Sequence, residues 1–100
     1  MSPHERRNHL YALRRSRGLR QKHVAALLGF RGTSTISRYE SGEVLPDLPT
    51  ALMLEMLLGA RMGDVYVNLR QALETTALKR AARLPGRLGQ HIRGRLLGKD

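Results

Sequence analysis

Residues 18–42 read GLRQKHVAALLGFRGTSTISRYESG, and the fold turns on this stretch. Residues 21–28 are free of Gly and Pro, and Gly29 follows them as a helix stop. A turn at residues 30–32 leads to Thr33 or Ser34, either of which can cap a second helix. That helix runs to about Ser41 and stops at Gly42. Val24, Leu28, Phe30, Ile36 and Tyr39 are spaced to share one core, with the small Ala25 where the two helices must approach closely. Opposite that core the second helix presents Thr33, Ser34, Thr35, Ser37 and Arg38, short hydroxyls with one long cation.

Two short helices joined by a tight, glycine-containing turn have helix-turn-helix geometry, in which the second helix can enter a major groove. Its hydroxyl-rich face suits base edges and phosphates, because short side chains allow close approach and hydrogen bonding.

Outward from this stretch the pattern stays helical, with no convincing strand. Residues 6–17 read as a helix with Leu10 and Leu13 on one face. After a loop at 43–46, Asp47 can cap a helix reaching Leu58, with Pro49 tolerated in its first turn. That helix is apolar nearly all round (Ala51, Leu52, Met53, Leu54, Met56, Leu57, Leu58), which fits core, with an excess that can serve a dimer interface. A last helix is expected from Gly63 or Asp64 to Arg83, where Leu84-Pro85-Gly86 breaks it. Residues 86–100 hold four glycines and four Lys/Arg among few apolar anchors, so an unpacked, mobile segment is expected. The expected architecture is an all-α, five-helix domain over 6–83 with a basic, flexible tail over 84–100.

A chain of 100 residues builds one core, since at this size only about two-thirds of the unfolded surface is buried. Eighteen Lys+Arg against eight Asp+Glu give a net charge of +10 and a pI near 11.4, which points to a polyanionic partner. The charge sits at the ends. Residues 1–22 carry seven cations and one acid, residues 79–100 carry seven and one, and residues 23–78 are slightly acidic. Without cysteine there is no disulfide, thiolate chemistry or zinc finger, and His4, His9, His23 and His91 lack metal-ligand spacing. No catalytic spacing of Ser/His/Asp, paired carboxylates or Gly-rich phosphate loop appears, so neither an enzyme nor a cofactor is expected. The polar, basic N-terminus is unlike a signal peptide, and the apolar run at 51–60 is too short for a membrane span. A soluble, cytoplasmic protein is expected.

Residues 10–66 resemble the phage-repressor (Cro-like) helix-turn-helix family of bacterial and phage transcription regulators. The resemblance rests on Leu13-Arg14, Gly18-Leu19, Gln21, Ala25, Leu28-Gly29, the run from Ile36 to Glu40, Gly42, Leu45-Pro46 and Asp64-Val65-Tyr66. It implies a lambda-repressor-like domain that binds a double-stranded DNA operator, usually as a homodimer on a palindrome, and regulates transcription. It also implies a phosphate contact by Gln21 and a bridge from Arg14 to Glu40 between the first and third helices. Two features depart from the family. The turn holding Phe30-Arg31-Gly32-Thr33 is one residue longer, and Arg20 stands where a Ser/Thr cap is usual, followed by Lys22 and His23. Cations at a helix N-terminus cost roughly 0.3–1 kcal/mol each when exposed, and a docked phosphate would reverse that sign.

The expected DNA-contacting residues are therefore Arg20, Gln21, Lys22, Arg31, Thr33, Ser34, Thr35, Ser37 and Arg38. The leading reading is a sequence-specific regulator, a repressor. The alternative is an antitoxin that uses the same domain on DNA and reserves the last helix or the tail for a toxin. An RNA-binding basic protein fits less well, because Phe30 and three tyrosines leave few rings for base stacking.

Overall fold

The computed structural model describes residues 5–98. Seven helices and no strand occur among the described residues: α1 (Leu10–Ser16), α2 (Gln21–Leu28), α3 (Ser34–Ser41), α4 (Leu48–Leu58), α5 (Met62–Val65), α6 (Val67–Ala81) and α7 (Gly86–Leu96). None of them is long and apolar enough to cross a membrane. The chain divides into two compact units, Met1–Leu69 and Arg70–Asp100, so the division falls within α6, earlier than the boundary expected at 83/84.

In the first unit the helices of α1 to α5 are too short to persist alone, and their stability comes from packing. Leu10, Val24, Ala25, Ile36, Tyr39, Leu54, Leu58, Val65 and Tyr66 form the core, all 5% exposed or less. Each large aliphatic side chain buried there contributes roughly 1.5–3 kcal/mol. The expected members Leu28 and Phe30 pack against this core while only partly buried. Burial also raises the Tyr39 and Tyr66 phenols above their usual pKa, so both stay neutral. Asp47 caps α4 as expected, its carboxylate accepting from Thr50 N at 3.0 Å.

Three expectations are corrected. The first helix begins at Leu10, not residue 6, because Asn8 diverts the backbone. Its Oδ1 accepts from Leu10 N at 2.9 Å, and its Nδ2 donates to Tyr39 O at 2.9 Å and Arg6 O at 3.0 Å. The single helix expected from 63 or 64 to 83 is broken at Tyr66 (φ −104°, ψ 60°) into α5 and α6. The Val65 carbonyl, which a continuous helix would use internally, accepts instead from His9 N at 2.9 Å.

The third correction concerns the second unit, where α7 replaces the unpacked segment expected over 84–100. Residues 82–84 turn, Pro85 takes an extended conformation (φ −63°, ψ 137°), and α7 follows. Gly89 is buried, and a Cβ there would lie 3.0 Å from both Ala81 O and Leu84 O. A glycine that composition counts toward disorder thus lies where α7 comes up against the end of α6 and the turn that follows it. Ile92 and Leu96, one turn apart, are half-buried. Lys99 and Asp100, also assigned to that tail, lie outside the described residues, as does His4.

Candidate nucleic-acid interface

The two helices singled out by sequence are locked through one carboxylate. Arg14 Nε and Nη2 donate to Glu40 Oε2 and Oε1, and Arg14 Nη1 donates to Leu19 O at 2.8 Å. The pair is buried, with side chains only 5% and 7% exposed. The bridge from α1 to α3 is therefore present. Glu40 Oε1 also accepts from Gln21 Nε2 at 2.9 Å. Gln21 is thus not a free surface amide; its second N–H and its carbonyl oxygen remain for another partner.

At the start of α2, Arg20 is extended (φ −90°, ψ 162°) and supplies no side-chain cap. His23 takes over half of that task, its Nδ1 accepting from Arg20 N at 2.9 Å. This gives His23, a departure from the family pattern, a structural use. Arg20, Lys22 and Arg31 are exposed around this end and the following turn. Arg20 and Lys22 stand beside the positive end of the α2 dipole, a setting that favours anions, while Arg31 follows the other end of α2 and precedes α3.

The expected cap of α3 is not made: Thr33 holds an αR conformation with no side-chain cap bond. Ile36 and Tyr39 point into the core. Ser34, Ser37 and Arg38 are exposed on the opposite face, whereas Thr33 and Thr35 are half-buried on its flanks. Arg38 Nε lies 3.9 Å from Glu43 Oε2, with the two side chains 60% and 65% exposed. Such a pair contributes little in water and yields readily to a phosphate. Ser41 shares the outer face, but its Oγ donates to Arg38 O at 3.1 Å and accepts from Glu43 N at 3.3 Å.

Sequence reasoning passed over the residues that hold the C-terminal end of α3. Asn8 binds Tyr39 O, and Arg6 Nη1 donates to Glu43 O at 3.2 Å. Gly42 (φ +80°) passes so close that a Cβ would lie 2.8 Å from Arg6 O. The usable signal was Asn8 itself, a turn-forming residue just ahead of an apolar run. Among the described residues no group of three or more His, Asp or Glu is placed to hold a metal ion.

A family model described as a helix-turn-helix domain matches residues 8–65. The match begins at Asn8 and ends at Val65, so it spans the lock at Glu40 and closes on the His9–Val65 backbone bond. No curated protein and no solved structure matches the chain.

Proposed function

The chain belongs to the helix-turn-helix domain family, in its XRE-type class, and from that premise we propose that it is a sequence-specific DNA-binding repressor that reads base edges with α3. The observation that carries this reading is the division of α3. Its inner side is fixed by Ile36, Tyr39 and the Arg14–Glu40–Gln21 lock, while Ser34, Ser37 and Arg38 face outward. A helix held this firmly can present three polar side chains to a groove at little further ordering cost. In this reading Arg20, Lys22, Arg31 and the Gln21 amide take phosphates. Repression by occupancy requires nothing more than tight binding at the right site.

Two copies would meet through α4. Leu48, Leu52 and Met56 recur one turn apart and are 71%, 50% and 75% exposed. Residues 43–69 carry Glu43, Asp47, Glu55 and Asp64 against the single cation Arg61, so this region is free of the strong positive charge that sets the chain ends of two copies against each other. In the antitoxin alternative a toxin would take the last helix of the domain or the C-terminal segment. A species of twice the chain mass in sedimentation of the isolated protein, lost on Leu52→Glu, favours the homodimer.

The deciding test is selection of bound sequences from a random duplex pool, followed by footprinting on the selected site. A defined site should emerge, and Arg38→Ala or Ser34→Ala/Ser37→Ala should cut its preference over random duplex by about 1–3 kcal/mol per lost base contact. A pool without enrichment refutes specific recognition.

A further inference from the structure

We propose that the second unit is a separate, sequence-independent clamp on the duplex phosphate backbone, made by the row Arg87–His91–Arg95 on α7. The proposal shares its partner with the reading above but rests on different residues. Residues 75–98 contain Lys79, Arg80, Arg83, Arg87, Arg93 and Arg95 and no carboxylate. Positions 87, 91 and 95 recur every fourth residue, so they lie on one face of α7 about 6 Å apart along its axis. All three are exposed.

The row is held in a formed helix, because Gly89 seats α7 against the carbonyls of Ala81 and Leu84. Charges on a formed helix lose less freedom when they meet an anion than the same charges on an unpacked segment.

The chemistry around the row selects among polyanions. A membrane-surface helix needs a broad, open apolar face of Trp, Phe or Leu. On α7 Gly89 is buried and Ile92 and Leu96 are half-buried, so Leu88, 51% exposed, is the one open apolar side chain of the helix, and no Phe, Tyr or Trp follows Tyr66 in the chain. Single-stranded nucleic acid is gripped by several rings on which successive bases stack, and the second unit has no Phe, Tyr or Trp, which leaves His91 as its single ring. The short hydroxyl and amide side chains that read base edges are also missing from α7 apart from Gln90. What remains is a rigid row of donors and charge, which fits phosphates and carries no sequence preference.

The test uses the full chain and its Arg87→Gln/Arg95→Gln variant, on a duplex of random sequence and on the selected site, titrated with salt from about 50 to 200 mM. Losing two phosphate contacts should reduce the salt slope by about 1.8, so the wild type should lose about 12-fold more affinity across that range than the variant. The preference for the selected site should be unchanged, and Arg87→Lys/Arg95→Lys should restore the wild-type slope. An unchanged slope overturns the proposal. So does a changed site preference, which would make α7 a base reader. Tighter wild-type binding to phosphatidylserine vesicles than to duplex at equal salt also overturns it, in favour of a membrane. Failure of the α3 reading is seen separately, as absence of an enriched site with the α7 slope effect intact.

Discussion

The side-chain amide of Gln21 donates to Glu40 Oε1 at 2.9 Å, so the first residue of α2 and the seventh of α3 share an anchor that Arg14 of α1 also grips. Three helices thus converge on one carboxylate that is 7% exposed. The angle between the two helices of the motif is set by this lock as well as by the apolar contacts of Val24, Ala25 and Ile36.

Breaking the lock should be costly. Arg14→Ala strands the Glu40 charge in a buried site and frees the Leu19 carbonyl, for an expected loss of about 3–5 kcal/mol. Arg15 is the internal control. It is exposed, and its guanidinium meets only the Tyr11 ring, at 5.8 Å, so Arg15→Ala should cost less than about 1 kcal/mol. Urea melts of the two variants measure the difference, and equal midpoints would show that the lock contributes nothing.

Gln21 and Lys22 are neighbours with different expected signatures on DNA. Gln21 is uncharged, so Gln21→Ala should weaken the selected site and random duplex by the same factor without changing the salt slope. Lys22 displaces a counterion if it meets a phosphate, so Lys22→Ala should lower the slope by about 0.9. Salt titrations of both variants check this pair of outcomes.

Glu43 Oε2 lies 3.9 Å from Arg38 Nε, beside the face of α3 proposed to read DNA. An exposed pair adds little to stability, while a carboxylate beside a phosphate repels it. Glu43→Gln should therefore leave the unfolding free energy within about 0.5 kcal/mol of wild type and raise affinity for any duplex. The backbone acceptor that Arg6 uses at Glu43 is untouched by this change. Weaker binding would mean that Glu43 orients Arg38 for base contact.

The Asp47 cap gives the fold an acid-side dependence. Hydrogen bonds from Thr50 hold its carboxyl below the usual carboxylate range. The group is more acidic folded than unfolded, so its contribution is complete above the unfolded value near about 4 and fades as pH falls through the folded one. Asp47→Asn keeps a capping oxygen without a titrating group. Thermal melts from pH 6 to about 3 should show a shallower acid decline for this variant than for wild type.

What could be read from sequence was local. Gly29 and Gly42 mark the ends of α2 and α3, and the alternation of Ile36 and Tyr39 with Ser34, Ser37 and Arg38 marks which side of α3 is buried. The start of α1 was hidden because Asn8 bonds to a carbonyl on α3, and the break at Tyr66 because the Val65 carbonyl is taken by His9 N. Neither partner lies within a helical turn, so no window of sequence contains both. Within the site, the hydroxyls of Thr33 and Thr35 looked equivalent to those of Ser34 and Ser37. Only the packing of α3 separates the half-buried pair from the exposed one.

The helix α7 offers a test in which two physical effects have opposite signs. Alanine is a better helix former than glycine by about 1 kcal/mol, so in a helix that packs on nothing Gly89→Ala would be stabilising. Here the added methyl would sit 3.0 Å from the carbonyl oxygens of Ala81 and Leu84, and both obstacles are backbone. Backbone cannot rotate aside as a side chain can, so α7 must lift from the end of α6. The interior Gly94 leaves α7 little intrinsic helicity to fall back on. Gly89→Ala should therefore speed amide hydrogen exchange across residues 86–96. Exchange across residues 21–41, whose core lies in the first unit, should stay unchanged. The same variant should reduce the salt slope on random duplex, because the row Arg87–His91–Arg95 is then no longer held in a fixed helix. Slower exchange over residues 86–96 would mean that propensity outweighs contact, and that Gly89 does not seat the helix.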